Sequence, residues 1–354
     1  MKPSGRAPFF DVDPLSLYRP DLSARLQALG APTYRRQQVY EHLMRHPSLP
    51  LEACTTLPAA MRAQLGPLME RRPRIEQRLD DTGRTTRLLL AMPDGIAVES
   101  VIMRYPDRTT LCVSTQAGCP VGCTFCATGA IGFTRNLRTD EIIDQVRLAA
   151  ALLEQEGRRV TNVVFMGMGE PFLNRESVFG ALRLLRDPRG LRVRARGLSV
   201  STVGIPAGII ELAQREPQVN LALSLHAPND ELRERLLPIN RKYPLAAVLQ
   251  ATDTHFAMTH RKLLVEYVLL GGVNDEPALA RQLSQLLRDR VAAVNLISWN
   301  ATGGPFRAPS ARAVAAFRAE LQRQHIDVAL RASMGHSIQA ACGQLVGRRA
   351  RGRG

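Results

Sequence analysis

TLCVSTQAGCPVGCTFCATG, residues 110–129, runs from an apolar, strand-like segment straight into a loop that holds Cys119, Cys123 and Cys126. Read outward from there, strand-like and helix-like segments alternate. The strand patterns are TLCVS at 110–114, VTNVVFM at 160–166, GLSVST at 197–202, VNLALSL at 219–225, KLLVEYVLL at 262–270 and AAVNLIS at 292–298. Helical patterns separate them, as in TDEIIDQVRLAAALLEQEG, where Thr139 reads as N-cap, acidic residues fill the first turn and Gly157 lies past the end. Six buried strands in βα order predict a parallel sheet curled into a full or partial barrel, an α/β fold. In such folds ligands bind where strands end, at their C-terminal edge. The cysteine loop, GMGEP at 167–171, Ser201, SLH at 224–226 and Asn300 all fall at or just past predicted strand ends.

Upstream the pattern differs. Residues from about 20 to 70 read as short amphipathic helices, including YRRQQVYEHLMRH at 34–46, whose Val39, Leu43 and Met44 share a face. RLLLAM at 87–92 and IAVESVIM at 96–103 then read as two strands of a hairpin, with PDG supplying the turn. The expected organisation is a helical RNA-binding module over 1–78, a hairpin connector over 79–104, a core over 105–346 and an Arg/Gly tail over 347–354. No apolar run is long enough to span a membrane, and the N-terminal segment lacks the apolar stretch of a signal peptide. A cytoplasmic protein, monomeric and with no membrane partner, is expected.

Three thiolates at a CxxxCxxC spacing pose a specific chemical question. Structural zinc closes on four ligands, and an iron-sulfur cluster also takes four cysteines. This loop offers three. A cubane held by three thiolates keeps one iron open to a small molecule carrying an amine and a carboxylate, which suits reductive cleavage of S-adenosylmethionine. The alternative is a zinc knuckle that recruits a distant His or Cys112. Phe125 stands beside Cys126 as a shield. In GMGEP the glycines allow close backbone approach, and Glu170 is placed to accept from an ammonium. Ser201, Ser224, His226 and Asn300 offer groups for a carboxylate or ribose, although each alone reads as an ordinary strand-end or structural residue.

Charge points to a polyanion. Forty-seven basic residues face 32 acidic ones, a net charge of +15, and Lys occurs only at 2, 242 and 262. Arg71, Arg72, Arg74 and Arg78 form one run; Arg189, Arg192, Arg194 and Arg196 form a second; Arg348, Arg349, Arg351 and Arg353 crowd the tail. Such clusters favour phosphate contacts.

Taken together, TLCVSTQAGCPVGCTFCATG, MGMGEPFLN, LALSLHAPND, VNLISWN and IQAACGQL resemble the RlmN/Cfr family of radical S-adenosylmethionine RNA adenosine methyltransferases, from about residue 30 to 347. The resemblance implies a partial (β/α)6 radical-SAM barrel with a small N-terminal helical accessory domain, a [4Fe-4S] cluster, and methylation of an unactivated adenosine ring carbon. Its expected substrate is 23S rRNA near the peptidyl-transferase centre and, in some members, tRNA. It also implies an external electron donor of flavodoxin or ferredoxin type.

By that resemblance Cys119, Cys123 and Cys126 bind the cluster. Gly169, Glu170, Ser201, Ser224, Leu225, His226 and Asn300 contact S-adenosylmethionine. Cys342 carries the methyl group, Cys112 resolves the intermediate through a disulfide, and Glu99 accepts the ring proton. Cys54 matches no family role and reads as packing. Two departures stand near the site: Ser337 replaces the usual acidic residue before Cys342, and SWN at 298–300 replaces the usual Pro-containing triplet.

Overall fold

A computed structural model describes residues 13–331 and 334–347; of the Arg/Gly tail expected over 347–354, all but Gly347 lies outside them. Four helices open the chain: α1 (Pro14–Tyr18), α2 (Pro20–Ala28), α3 (Thr33–Arg45) and α4 (Ala59–Met69). Each buries one apolar face, with Leu22 and Leu26 from α2 and Val39, Tyr40 and Leu43 from α3 fully enclosed. Removing a Leu or Val side chain from water contributes about 1.5–3 kcal/mol, so this small cluster is enough to hold the short helices together. Cys54 is buried among them, just past the 3-10 turn Leu51–Ala53.

The strands that follow join one ten-stranded sheet of order β1-β2-β3-β4-β7-β8-β9-β10-β11-β12. The first four, β1 (Arg74–Asp81), β2 (Thr85–Ala91), β3 (Ala97–Arg104) and β4 (Thr109–Cys112), pair antiparallel. The expected hairpin is β2–β3, in register with Ala91 opposite Ala97 across the PDG turn. Strand β1 was not expected, and the boundary drawn at residue 78 falls inside it. Its residues alternate between exposed and partly buried, which leaves little apolar signal.

Six further strands run parallel to β4: β7 (Asn162–Phe165), β8 (Leu198–Thr202), β9 (Asn220–Ser224), β10 (Leu263–Leu269), β11 (Ala292–Ser298) and β12 (Asp327–Arg331). The expected parallel strands are all present, and β12 extends them. Between β4 and β7 lie the short pair β5 (Gln116–Gly118) and β6 (Phe133–Asn136), the four-residue helix α5 (Ala127–Ala130), and α6 (Thr139–Glu154). The later crossovers use α7 (Arg175–Arg186), α8 (Pro206–Arg215), α9 (Asp230–Leu236), α10 (Leu245–Thr259), α11 (Pro277–Leu287) and α12 (Ala311–Arg323). Residues from β3 round to β12 line one common cavity, so the sheet is curled into a partial barrel.

The N-terminus of α6 differs from expectation. Thr139 is the first helical residue, and Arg138 is the cap, its N–H donating to Glu141 Oε2 at 2.8 Å. Buried polar groups seat the N-terminal helices on α6. Tyr18 Oη donates to Asp144, which also pairs with Arg72, and Arg147 Nη1 lies 3.3 Å from Asp144 Oδ1. Arg72 is therefore a half-buried ion-pair partner of buried Asp144, not a free phosphate ligand. Among the described residues no helix is long and apolar enough to cross a membrane.

Candidate active site

The β5–β6 hairpin aims the cysteine loop at the open end of the barrel. Gly118 makes the approach possible: at φ +76°, a Cβ there would sit 1.9 Å from the Gly132 carbonyl. The Cys119 N–H donates to that same carbonyl at 2.8 Å. Gly129 likewise leaves room, since a Cβ would lie 2.8 Å from the Cys123 carbonyl oxygen. The loop rests on a second apolar cluster in which Phe125, Leu236, Val268, Ile297 and Trp299 pack together. Trp299 Nε1 donates to the Phe125 carbonyl at 3.0 Å, which fixes the loop to the end of β11.

Cys119, Cys123 and Cys126 all face one cavity of about 240 Å³. Burial pushes the Cys119 thiol up to about 12, with Glu170 and Cys126 adding and the Val121 N–H opposing. Burial likewise raises Cys123 well above its ordinary value, and the neighbouring Cys126 and Cys119 add to it. Buried Cys119 and Cys123, whose thiols resist ionisation without a partner, stand beside Cys126 in a set that fits a cationic iron cluster, whose charge would compensate three thiolates. Structural zinc closes on four ligands and the loop supplies three thiols, which among the described residues are not drawn together around a single metal ion.

Beyond the cysteines the wall is built from strand ends. Gly169 adopts φ +104°, and a Cβ there would lie 2.6 Å from Gln116 Cβ; at Gly167 it would meet the Val113 carbonyl at 2.7 Å. Burial raises Glu170 to about 7, opposed by the N–H groups of Val203 and Phe172 and by the Thr202 hydroxyl. A carboxyl so poised gains from an incoming ammonium. Ser201 Oγ and Ser224 Oγ meet at 3.1 Å across β8 and β9.

His226 sits at φ +60°, a region costly for a non-glycine residue. Its Nδ1 accepts from the Val268 N–H at 3.1 Å, and burial with help from Arg233 depresses the ring to about 3. The ring is therefore neutral, with its proton on Nε2 and free to donate. Phe125 packs edge-on against it at 4.9 Å between centroids.

The segment 334–347 closes the cavity. Thr128 Oγ1 donates to the Leu345 carbonyl at 2.6 Å, the Ala127 N–H to Gly343 at 2.8 Å, and Asn300 Nδ2 to the Cys342 carbonyl at 3.3 Å. Cys342 and Cys112, at the end of β4, thereby line the same cavity as the cysteine triad. Cys342 is reachable by solvent from within the cavity, yet desolvation pushes its thiol up to about 11, with Cys126 and Glu266 adding and Arg331 opposing. Burial and Cys342 push Cys112 up to about 12. Both thiols are free, so the expected disulfide is not present in this state.

Two expected site residues stand off the cavity wall. Leu225 is fully buried; its N–H donates to the Glu266 backbone carbonyl and its own carbonyl accepts from Arg233 Nε. Glu99 is also buried. Its Oε2 accepts from the Val346 N–H at 3.1 Å, and Arg87 lies 3.5 Å from Oε1. Burial raises its carboxyl, opposed by Arg87 and by the Val346 and Gly347 amides. Glu99 thus anchors the segment that bears Cys342.

The sequence reading missed Glu266 and Arg331, both on the cavity wall. Glu266 carried a usable signal, a lone charge inside the apolar run KLLVEYVLL. Arg331 ends the unrecognised strand β12.

Comparison with known proteins agrees with this geometry. Residues 113–282 match the family model of the radical SAM superfamily. A probable dual-specificity RNA methyltransferase RlmN from Chloroflexus aurantiacus is 44% identical over 341 residues, covering 93% of this chain and 91% of its own. A ribosomal RNA large subunit methyltransferase N from Nitrosopumilus maritimus is 43% identical over 278 residues, covering 77% and 79%. The crystal structure of a radical SAM methyltransferase from Sphaerobacter thermophilus superposes with a TM-score of 0.90 at 42% identity, covering 95% of this chain and 99% of that one.

Proposed function

The chain belongs to the RlmN family of radical S-adenosylmethionine RNA methyltransferases, and from that premise we propose that it methylates C2 of an adenosine in 23S rRNA near the peptidyl-transferase centre. The observation that carries the reading is the convergence of five of the six cysteines, Cys342 from the far end of the chain among them, on one cavity. A methyltransferase that used only a sulfonium donor and a nucleophile would have no use for them. An sp2 ring carbon of adenine is electrophilic, so it does not attack a sulfonium methyl, and a radical route is required.

The family's cofactors are a [4Fe-4S] cluster and S-adenosylmethionine; here Cys119, Cys123 and Cys126 would hold the first, and Gly169, Glu170, Ser201, Ser224, His226 and Asn300 would line the pocket for the second. Bound there, they supply a 5'-deoxyadenosyl radical and, from a second S-adenosylmethionine, the methyl group. Glu170 receives the ammonium and the neutral His226 donates from Nε2. Cys342 carries the methyl as a thioether and presents it to the base. Glu99 takes the ring proton, which requires the 346–347 backbone to release its carboxylate, and the adduct's unpaired electron would return to the bound cluster. Cys112 as thiolate attacks the Cys342 sulfur: the S–S bond forms, the S–CH2 bond breaks, and its electron pair passes to the carbon, which takes a proton and becomes the methyl group. A dithiol reductant restores the two thiols. A flavodoxin or ferredoxin supplies the single electron for the cluster.

RNA as substrate is consistent with the net charge of +15 and with the cavity rim, where Arg108 stacks 4.0 Å over the Tyr105 ring. The relatives' description as dual-specificity enzymes supports tRNA as a second substrate. One chain builds the whole cavity, which supports a monomer, and a ribosomal RNA substrate supports a cytoplasmic location. Nucleoside mass spectrometry after incubation with 23S rRNA fragments and tRNA tests the reading. It predicts 2-methyladenosine; 8-methyladenosine would correct the position, and no ring-methylated adenosine would overturn the function.

A further inference from the structure

Val101 and Met103 on β3, and Tyr105 just past its end, line the cavity in alternation, as residues on one face of a strand do. The register sets Val101 opposite Cys112. Tyr105 comes four residues later, so its backbone lies about 13 Å along the strand from the level of that thiol, at about 3.3 Å per residue. It opens the turn Tyr105, Pro106, Asp107, Arg108 that leads into β4.

That turn holds an aromatic ring in a fixed place. The Tyr105 N–H donates to the Arg108 carbonyl at 2.9 Å, and Arg158 Nη1 donates to the Tyr105 carbonyl at 3.0 Å. The Arg108 guanidinium stands 4.0 Å from the ring centroid, and Asp107 steadies it with oxygens 3.1 and 3.3 Å from Nη1. Tyr105 lines the cavity and Arg108 does not, so the cation covers the ring from outside and leaves the side turned to the cavity open. Positive charge gathers on the same lip. Arg159 follows Arg158, and the Arg84 carbonyl accepts from the N–H of Arg104, the neighbour of Tyr105, at 2.8 Å; Arg84 and Arg159 are both exposed. The acids beside them are already paired, Asp107 with Arg108 and Glu156 with Arg104. An open aromatic face, backed by a guanidinium and set among arginines, suits an unpaired nucleobase on a phosphate chain: the ring stacks on the base and the arginines meet the phosphates.

We infer that Tyr105, backed by Arg108, stacks on a base flanking the target adenosine and so holds the RNA strand at the cavity mouth while the target lies inside. The inference rests on the function proposed above and names the RNA contact of that same site. The adenine being methylated is not the base on Tyr105, because resolution puts that adenine beside Cys112, about 13 Å further in. Its neighbour on the strand is the base the ring can reach.

The test measures affinity directly, by fluorescence anisotropy of a labelled 23S rRNA fragment on the anaerobically reconstituted holoenzyme, with the base removed in turn at each unpaired position of the fragment. Tyr105→Ala should weaken binding of the intact RNA by about tenfold. Tyr105→Leu, which keeps apolar bulk without a π-face, should lose as much, whereas Tyr105→Phe should stay within about threefold of the wild type. One abasic RNA should bind the wild type about tenfold more weakly and lose nothing further with Tyr105→Ala, and its missing base should adjoin the adenosine that the enzyme methylates. Tyr105 is half-buried, and calorimetric S-adenosylmethionine affinity equal to that of the wild type verifies that each variant is folded. Unchanged RNA affinity in Tyr105→Ala, rescue by Leu as complete as by Phe, or losses that add at every abasic position would overturn the inference. If the RNA is methylated while Tyr105→Ala binds it as tightly as the wild type, the inference fails and the proposed function stands. Coupling of Tyr105 to one base of an RNA that is never methylated would sink the proposed function and leave the stacking contact in place.

Discussion

Replacing Glu99 separates anchoring from proton transfer. Its carboxylate accepts from the Val346 N–H at 3.1 Å and from the Gly347 amide, and Arg87 Nη1 stands 3.5 Å away. A hydrogen bond to a charged group contributes about 1.5–3 kcal/mol. Glu99→Ala removes two of these and leaves two N–H donors and a largely buried guanidinium without their partner. The expected loss of docking is about 3–5 kcal/mol. At about 1.4 kcal/mol per factor of ten, protection of the Val346 and Gly347 amides should fall by about 10²- to 10⁴-fold. Glu99→Gln keeps a carbonyl acceptor but loses the charge, and about tenfold loss is expected. Hydrogen exchange of the C-terminal peptide, read by mass spectrometry, measures both. Neither variant has a carboxylate, so both should lose removal of the ring proton and accumulate protein-RNA adduct. Unchanged amide protection in Glu99→Ala would refute the anchoring argument whatever happened to activity.

Gly169→Ala forces a side chain into φ +104° and against Gln116, a strain of about 1–3 kcal/mol. S-adenosylmethionine binding by calorimetry should weaken about tenfold or more, and undiminished affinity would contradict the cradle. Asp144→Ala strands Arg72 and Arg147 and deprives the Tyr18 hydroxyl of its acceptor, so urea unfolding should show a loss of about 3–5 kcal/mol; a loss under about 1 kcal/mol would make the network incidental. His255 is buried with Nε2 unpartnered, and desolvation together with Arg261 depresses it from 6.5 to about 4. The unfolded chain therefore binds the proton first, and stability falls as pH drops from 6.5 towards 4, by about 2–3 kcal/mol from this residue at pH 4.5. His255→Gln should flatten that part of the urea-midpoint profile, and a parallel slope would exclude the residue as its source.

The parts of the fold that buried apolar strands could announce were legible. The runs at 219–225 and 262–270 are enclosed on both faces and read as continuous hydrophobic segments, and the PDG turn fixed the β2–β3 register. Edge strands were not legible. Arg74–Asp81 and Asp327–Arg331 keep one side in solvent, so their composition resembles a charged loop, and within the Arg run at 71–78 the pairing of Arg72 with buried Asp144 has no local signal. The cysteine triad was legible because its spacing is local. The bond from Glu99 to Val346 spans 247 residues, and no local pattern encodes it. Arg331 escaped for both reasons, since it ends an edge strand and its partners, Glu266 and Met166, lie 65 and 165 residues away.

The account stands most directly on the fate of Cys342 in a Cys112→Ala enzyme given RNA, S-adenosylmethionine and reductant. Tandem mass spectrometry of the nuclease-treated protein should find an adenosine joined to Cys342 through a single methylene carbon. An unmodified Cys342 under conditions where the wild-type enzyme methylates the same RNA would contradict it.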